Sequence, residues 1–418
     1  MNSNRNPRLR LRAIFARAAF FTILGAGFGP SFAQTTPAPP EAIRDEVATP
    51  LRAAEAFIKE KKYDEAMTRI RAAEAIPGRT ANENIIIERT RAIAAFGAGD
   101  IPTAIHSFEA VIDSGRMPLA EQAKMVKVVA QLYFQSKDFP KAATWAARSI
   151  KEGGPDSEMQ MLMIQAQYFS GDCANASREL RTLVDAAAPP NREWLAMLAS
   201  CYSKLKDDPG YVYALDKLLA YYPTKDYWLD AIQRVENKPG FSDRLLLDVL
   251  RLRRATGTLS GTPAYAVMTQ LAMKAALPGE AKKVSDEGFA SGALGTGADA
   301  EAQKRLRDAA AKQVVDDEKQ LPQSAKAAGA AKDGVALVNV GFAYVNAGQF
   351  EVGLPLMEQG IAKGGLREPE DAKLHLGIAY LAAGQKPKAI QTFKEVGGTD
   401  GTADLARLWL IHAQRPTG

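Results

Sequence analysis

The sequence predicts an all-α fold in which helix hairpins follow one another along the chain. Apolar residues recur with the i, i+3, i+4 and i+7 spacing of helices, and alternating strand-like runs are missing. Gly or Pro interrupts this pattern about every 15 to 20 residues, as expected at the turns between helices. The composition, 46% hydrophobic and 24% charged, is that of a globular protein and excludes a disordered or collagen-like chain.

The first segment, residues 1–33, has the three parts of a secretory signal peptide. An Arg-rich stretch precedes the apolar run 18–28, and the small residues Ser31 and Ala33 occupy the −3 and −1 positions of a cleavage site. A membrane anchor would need about 20 consecutive apolar residues, and neither this run nor any later one is that long. We therefore expect an exported, periplasmic protein with no integral membrane segment in the mature chain.

The signal peptide also accounts for the positive charge of the chain. The full sequence has 53 basic and 48 acidic residues, and five arginines but no acid lie in residues 1–33. The remainder is balanced, with 48 basic and 48 acidic residues. This balance gives no electrostatic reason to expect nucleic acid or an anionic membrane as a partner.

The rest of the chain divides into four segments. Residues 34–50 are predicted to form a proline-rich spacer, because prolines there cannot join a regular helix or sheet. Residues 51–224 are expected to form N-terminal repeats and 225–332 irregular helical repeats. Residues 333–418 are predicted to form a C-terminal pair of repeats with a capping helix.

The clearest repeat lies near the C-terminus. Leu376 and Gly377 are followed by Tyr380, then by Ala389 and Phe393, and a related copy begins 36 residues earlier. Small residues at two of these positions would let the helices of a hairpin approach closely. The aromatic residues would fill the space between one hairpin and the next.

This pattern resembles the tetratricopeptide repeat (TPR), with its L-G-x-x-Y and A-x-x-x-F signature. Weaker copies keep the register within 51–224, where Ala142 and Ala176 are separated by the expected 34 residues. The resemblance implies a right-handed α-solenoid that binds a peptide on the concave surface formed by the first helix of each hairpin.

The C-terminal pair is predicted to carry an apolar groove. In the carboxylate-clamp subfamily of TPR proteins, the residues after the L-G pair and four before it are Asn, Lys or Arg. The corresponding residues here are Phe342 with Val338 and Ile378 with Leu374, so the resemblance does not support a clamp. We expect either a groove for an amphipathic segment or, as the alternative, coverage of these side chains by the last helix or another part of the solenoid.

A more polar continuation of the same face is expected nearer the N-terminus, at Arg89, Lys127 and Gln131. A peptide with one apolar end and one acidic end would suit this asymmetry.

The sequence indicates no catalytic, cofactor or metal site. His106, His375 and His412 belong to three separate predicted helices without metal-ligand spacing, so each is expected at the surface or in the groove. No nucleophile or nucleotide-binding motif occurs. The arginines at 251, 253 and 254 are interpreted as favourable charges at a helix C-terminus.

Cys173 and Cys201, the only two cysteines, are predicted to form a disulfide, because they fall on adjacent hairpins of an exported protein. The alternative is that both are small buried residues at tight helix contacts.

Two functions follow from these features. The favoured one is a non-catalytic periplasmic scaffold that binds a peptide or helix of a cell-envelope protein. Exported TPR proteins that resemble this one also serve as accessories of TonB-type energy-transducing complexes. The alternative is a substrate-binding or regulatory subunit of an envelope enzyme acting on glycan or cell wall, with aromatic contacts from Tyr168, Trp194, Tyr221, Tyr222, Tyr227 and Trp228.

Overall fold

The computed structural model describes residues 42–415, and within this range the regular structure is helical with no strand. The predicted signal peptide lies outside the described residues. The chain divides between Asp100 and Ile101 into two compact units. The predicted all-α class is confirmed.

The first unit contains α1 (Asp45–Lys59), α2 (Tyr63–Glu74) and α3 (Ala81–Ala98). Helix α1 begins inside the range predicted as a proline-rich spacer, so the spacer boundary at residue 50 is wrong. Val47, Leu51 and Ala54 lie on one buried face of α1, and their burial favours the helix although Pro50 lies within it.

A buried carboxylate links the start of α3 to the residue before α1. Glu83 forms a capping box with Thr80 at the start of α3 and pairs with Arg44, just before α1, at 3.0 Å. The hydrogen bond from Arg44, followed by that from the Thr80 backbone, lowers the pKa of Glu83 to about 2.

The second unit begins with hairpins of similar length. These helices are α4 (Ile101–Asp113), α5 (Leu119–Gln135), α6 (Phe139–Gly153), α7 (Ser157–Ser170), α8 (Cys173–Ala186), α9 (Arg192–Leu205) and α10 (Asp208–Tyr221). The side chains of Asp138, Asp156, Asp172 and Asp207 accept backbone N–H groups at helix starts, which defines the turns between helices.

The middle of the second unit contains helices of unequal length. It contains α11 (Lys225–Glu236), a 3₁₀ turn (Asp243–Leu245), α12 (Leu246–Ala255), α13 (Thr262–Lys274), α14 (Pro278–Ala290) and α15 (Ala300–Ala330). Helix α15 is 31 residues long and packs on α14 and α16 (Val335–Asn346).

The C-terminal part continues with α17 (Phe350–Lys363), α18 (Pro369–Ala382), α19 (Lys386–Lys394) and α20 (Thr402–Gln414). Helices α16 and α17 touch through their backbones, because a Cβ on Gly341 would lie 2.7 Å from the Gly353 carbonyl oxygen. The expectation that Gly377 also marks a backbone contact is wrong. This glycine instead leaves room for the ring of Phe393, which would be 2.5 Å from an added Cβ.

Helix α20 packs against α10, α11 and α12 as well as against its neighbours α18 and α19. Arg407 pairs with Asp216 of α10, and Asp404 pairs with Lys238 at 2.7 Å. One hydrophobic cluster consequently runs from α7 to α20. The C-terminal repeats are thus packed back onto the middle of the chain.

Candidate functional site

The predicted C-terminal groove is filled by the protein's own core. Val338 and Phe342 of α16 are about 5% and 6% exposed, and Leu374 of α18 is fully buried. Ile378 is half-buried and packs against the same cluster. The expectation of an open apolar groove is therefore wrong, and the alternative, coverage by another part of the chain, describes the structure.

A side chain of helix α12 covers part of the predicted groove. The Phe342 ring stacks on His375 with centroids 5.0 Å apart, and the guanidinium carbon of Arg251 lies 5.0 Å from the centre of the same ring. Phe342 is thus enclosed by side chains of α12 and α18. The sequence gives no sign of this enclosure, because residue 251 lies in the segment that lacks the repeat signature.

A buried ionic cluster holds α12 in this position. Arg251 forms two hydrogen bonds with Glu280 of α14, at 2.8 and 2.6 Å, and one with Asp248 at 2.7 Å. His375 Nε2 lies 2.9 Å from the same Asp248 oxygen. Burial alone would raise the pKa of Asp248, but His375 and Arg251 outweigh it and hold this pKa well below its usual range.

The interpretation of the arginines as helix-end charges is incomplete, because Arg253 and Arg254 do lie in the last turn of α12 but all three arginines are also ion-paired. Besides Arg251, Arg253 pairs with Glu236 at 2.5 Å and Arg254 pairs with Glu287 at 2.5 Å. All three therefore join α12 to other helices. The expected surface placement holds for His106, which is exposed, but not for the other two histidines.

His412 lies between two tryptophans. Its ring centroid is 6.1 Å from that of Trp228 and 5.7 Å from that of Trp409, both in edge-to-face contacts. Burial, followed by the charges of Arg415 and Lys386, lowers the pKa of His412. This histidine is part of the packing of α20 on α11.

The polar residues predicted on the concave face are partly brought together. Lys127 of α5 lies 3.1 Å from Asp156 and 2.7 Å from Glu158 at the start of α7, and Gln131 donates to Glu158 at 2.9 Å. We call Lys127, Gln131 and Glu158 the polar stripe. Arg89 belongs to the first unit, whereas the stripe lies in the second.

The polar stripe remains accessible. The side chain of Lys127 is 33% exposed and that of Glu158 is 61% exposed. Its members supply an ammonium group, an amide and a carboxylate from the first helices of two neighbouring hairpins. Such a surface can hydrogen-bond to a polypeptide backbone and to side chains of either charge.

The two cysteines lie together but are free thiols, so the predicted disulfide is not formed in the structure. Cys173 at the start of α8 and Cys201 in α9 are buried in one small cluster with Ala176 and Tyr168. Burial, followed by the hydrogen bond with Cys173, raises the pKa of Cys201. Their placement agrees with the alternative of small buried residues at a helix contact.

The aromatic residues considered for glycan binding do not form one exposed patch. Tyr227 and Trp228 are core residues, and Tyr222 donates a hydrogen bond to the Pro190 carbonyl. Only Tyr221 among the six is largely exposed, at 45%. In the described range 42–415, no group of three or more His, Cys, Asp or Glu side chains is arranged to hold a metal ion.

The regular hairpins also match a known sequence family. A family model described as tetratricopeptide repeat matches residues 89–158 and 341–401. The chain contains tetratricopeptide repeats in these two regions. These two matches fall on α3 to α7 and α16 to α19, where the sequence pattern is clearest, and TPR domains bind proteins or peptides.

The TPR chain is also similar to solved structures at low identity. A structure described as Naa15/Naa10 bound to HypK-THB matches at 15% identity and a TM-score of 0.32, covering 84% of this chain and 58% of that one. The present chain thus spans less than two thirds of that chain. Yeast Tom70 matches at 12% identity and a TM-score of 0.21, covering 88% of this chain and 95% of that one. The search of curated proteins gave no match.

No helix among the described residues of this TPR protein combines the length and the hydropathy needed to cross a bilayer.

Proposed function

We propose that this TPR protein is a non-catalytic scaffold that binds a peptide or helix of a cell-envelope protein along the polar stripe. The observation that carries this proposal is the contrast between the two ends of the second unit. The C-terminal groove is occupied by the protein's own helices, while Lys127 and Glu158 stay accessible on neighbouring hairpins. A partner segment with polar and charged side chains suits this surface better than an apolar helix.

The periplasmic location in this proposal rests on the signal-like residues 1–33 alone. Cell fractionation followed by N-terminal sequencing tests it. A periplasmic chain that begins at Gln34 is the expected result. A chain retained in the cytoplasm with Met1 at its N-terminus would contradict it.

Site-specific photocrosslinking tests the binding face. A photoreactive side chain is placed at position 131, in the stripe, or at position 144, which is exposed on the second helix of the same hairpin. We expect an envelope protein to crosslink at 131 and not at 144. Equal crosslinking at both positions, or none at 131, would contradict the proposed face.

A further inference from the structure

A cavity lies between α4, α5 and α6, at residues outside the polar stripe. It is a cavity open to solvent, with a volume of about 320 Å³, and His106, Ser136 and Lys141 at its rim are exposed. Pro102 and Ile105 of α4 form an apolar part of its wall, and Glu109, one turn further along the same helix, provides a carboxylate.

The carboxylate of Glu109 keeps acceptor capacity free. Tyr133 of α5 donates to its Oε1 atom at 2.5 Å. Burial, followed by Glu109, raises the pKa of Tyr133, so the phenol keeps its proton and remains the donor. A carboxylate offers about four acceptor positions, so several remain.

The C-terminal pair contains a second copy of this arrangement, complete with its own cation. Tyr380 donates to Glu358, and Lys388 lies 3.8 Å from Glu358 and 5.1 Å from the centre of the Tyr380 ring. Lys141 occupies the equivalent sequence position, eight residues after Tyr133, and lies 5.0 Å from that ring. Its ion pair, however, is not with Glu109.

One sequence difference explains where Lys141 goes. Asp138, the N-cap of α6, accepts the backbone N–H of Lys141 at 3.3 Å and pairs with its ammonium group at 3.9 Å. The equivalent N-cap of α19 is the uncharged Gln385, which has no charge to attract Lys388. Lys141 lines the cavity but pairs with Asp138, so Glu109 lacks the lysine partner that Glu358 has in the C-terminal copy.

We infer that this cavity binds the side-chain ammonium group of a lysine from another protein, with Glu109 as its counter-ion. The bound ammonium takes the role that Lys388 has in the C-terminal copy, and Pro102 and Ile105 contact its aliphatic stem. A lysine fits better than an arginine. One oxygen of Glu109 is already bonded to Tyr133, and a guanidinium group prefers both oxygens of a carboxylate.

The test uses the methyl resonance of Ile105, which lies in the cavity wall. The chain is titrated with Nα-acetyl-lysine methylamide, and a saturable shift of this resonance is expected. The same probe acetylated at Nε lacks the positive charge and should give no shift of the Ile105 resonance. Glu109→Gln should weaken binding by at least about tenfold, because the charge is lost while the side-chain shape is kept.

Two further variants complete the test. Glu358→Gln changes the matched carboxylate of the C-terminal copy and should leave binding unchanged. Lys141→Met removes the neighbouring positive charge and should strengthen binding, which also decides the matter if Glu109→Gln is poorly folded.

Three results would overturn the inference. They are unchanged affinity in Glu109→Gln, weaker binding in Lys141→Met, and a larger Ile105 shift with inorganic phosphate than with the lysine probe. The last would show an anion site formed by Lys141 and His106 instead.

Discussion

Gly377→Ala probes the packing of the C-terminal hairpin with a single added methyl group. That methyl would lie 2.5 Å from Cε1 and 2.7 Å from Cδ1 of Phe393. The ring cannot easily yield, because it is 2% exposed and stacks on Trp409 with centroids 6.2 Å apart. Overpacking costs about 1–3 kcal/mol, and the higher helix propensity of Ala returns up to about 1 kcal/mol. Because the ring is confined, the cost should lie in the upper part of this range, and we therefore expect a net loss of about 1–2 kcal/mol.

Gly329→Ala is the matched control, because a Cβ on this glycine of α15 meets no atom within 4 Å. This variant should gain about 0.5–1 kcal/mol from helix propensity. Urea unfolding followed by circular dichroism and by tryptophan fluorescence measures both changes. If Gly377→Ala proves as stable as the parent protein, or gains stability as the control does, the assigned packing is wrong.

Three other predictions concern single groups. His375→Ala should cost about 1–3 kcal/mol in urea unfolding, because it removes a hydrogen bond to buried Asp248; no change would show that the bond contributes nothing. Glu83→Gln should destabilise the first unit at pH 7. The difference in thermal midpoint between this variant and the parent protein should disappear as the pH falls from about 4.5 to about 2, because the pKa of Glu83 is lower in the folded than in the unfolded protein. A difference that does not change with pH would contradict this. Cys173 and Cys201 should resist thiol reagents in the native protein and give two reactive thiols after non-reducing denaturation, whereas no thiols would show that the disulfide forms after export.

The sequence predicts the hairpins well because each hairpin packs on its neighbours in the chain. In such a fold, small residues such as Gly341 and Ala389 and aromatic ones such as Tyr380 mark contacts over short sequence distances. These requirements repeat about every 34 residues, so they are visible as a pattern.

Contacts that join distant repeats leave no periodic signal. Asp248 and His375 are 127 residues apart, and Asp216 and Arg407 are 191 apart. Whether Phe342 lines an open groove or a core depends on such contacts, because the same apolar side chain suits both. For this reason the sequence left the two alternatives open. The polar stripe was predicted at Lys127 and Gln131, but its partner Glu158 was not.

The cavity at Glu109 was missed for a related reason. Its residues belong to the regular repeats, where Tyr133 corresponds to the packing residue Tyr380. A signal was present in the sequence, because Asp138 and Gln385 differ at equivalent turns of two otherwise similar repeats. Only the structure shows that Lys141 pairs with Asp138 and Lys388 with Glu358.

The measurement that tests the closed C-terminal groove most directly is thermal unfolding of Phe342→Glu. Phe342 is 6% exposed and enclosed by His375 and Arg251, so the variant loses a buried ring and places a carboxylate in the core. Losing the ring alone costs about 3–5 kcal/mol. Val352→Glu, on the 44% exposed position of α17, serves as the control and should change stability by less than about 0.5 kcal/mol. We expect a large fall in the midpoint for Phe342→Glu alone, whereas equal midpoints for both variants would mean that residue 342 faces solvent and that the groove is open.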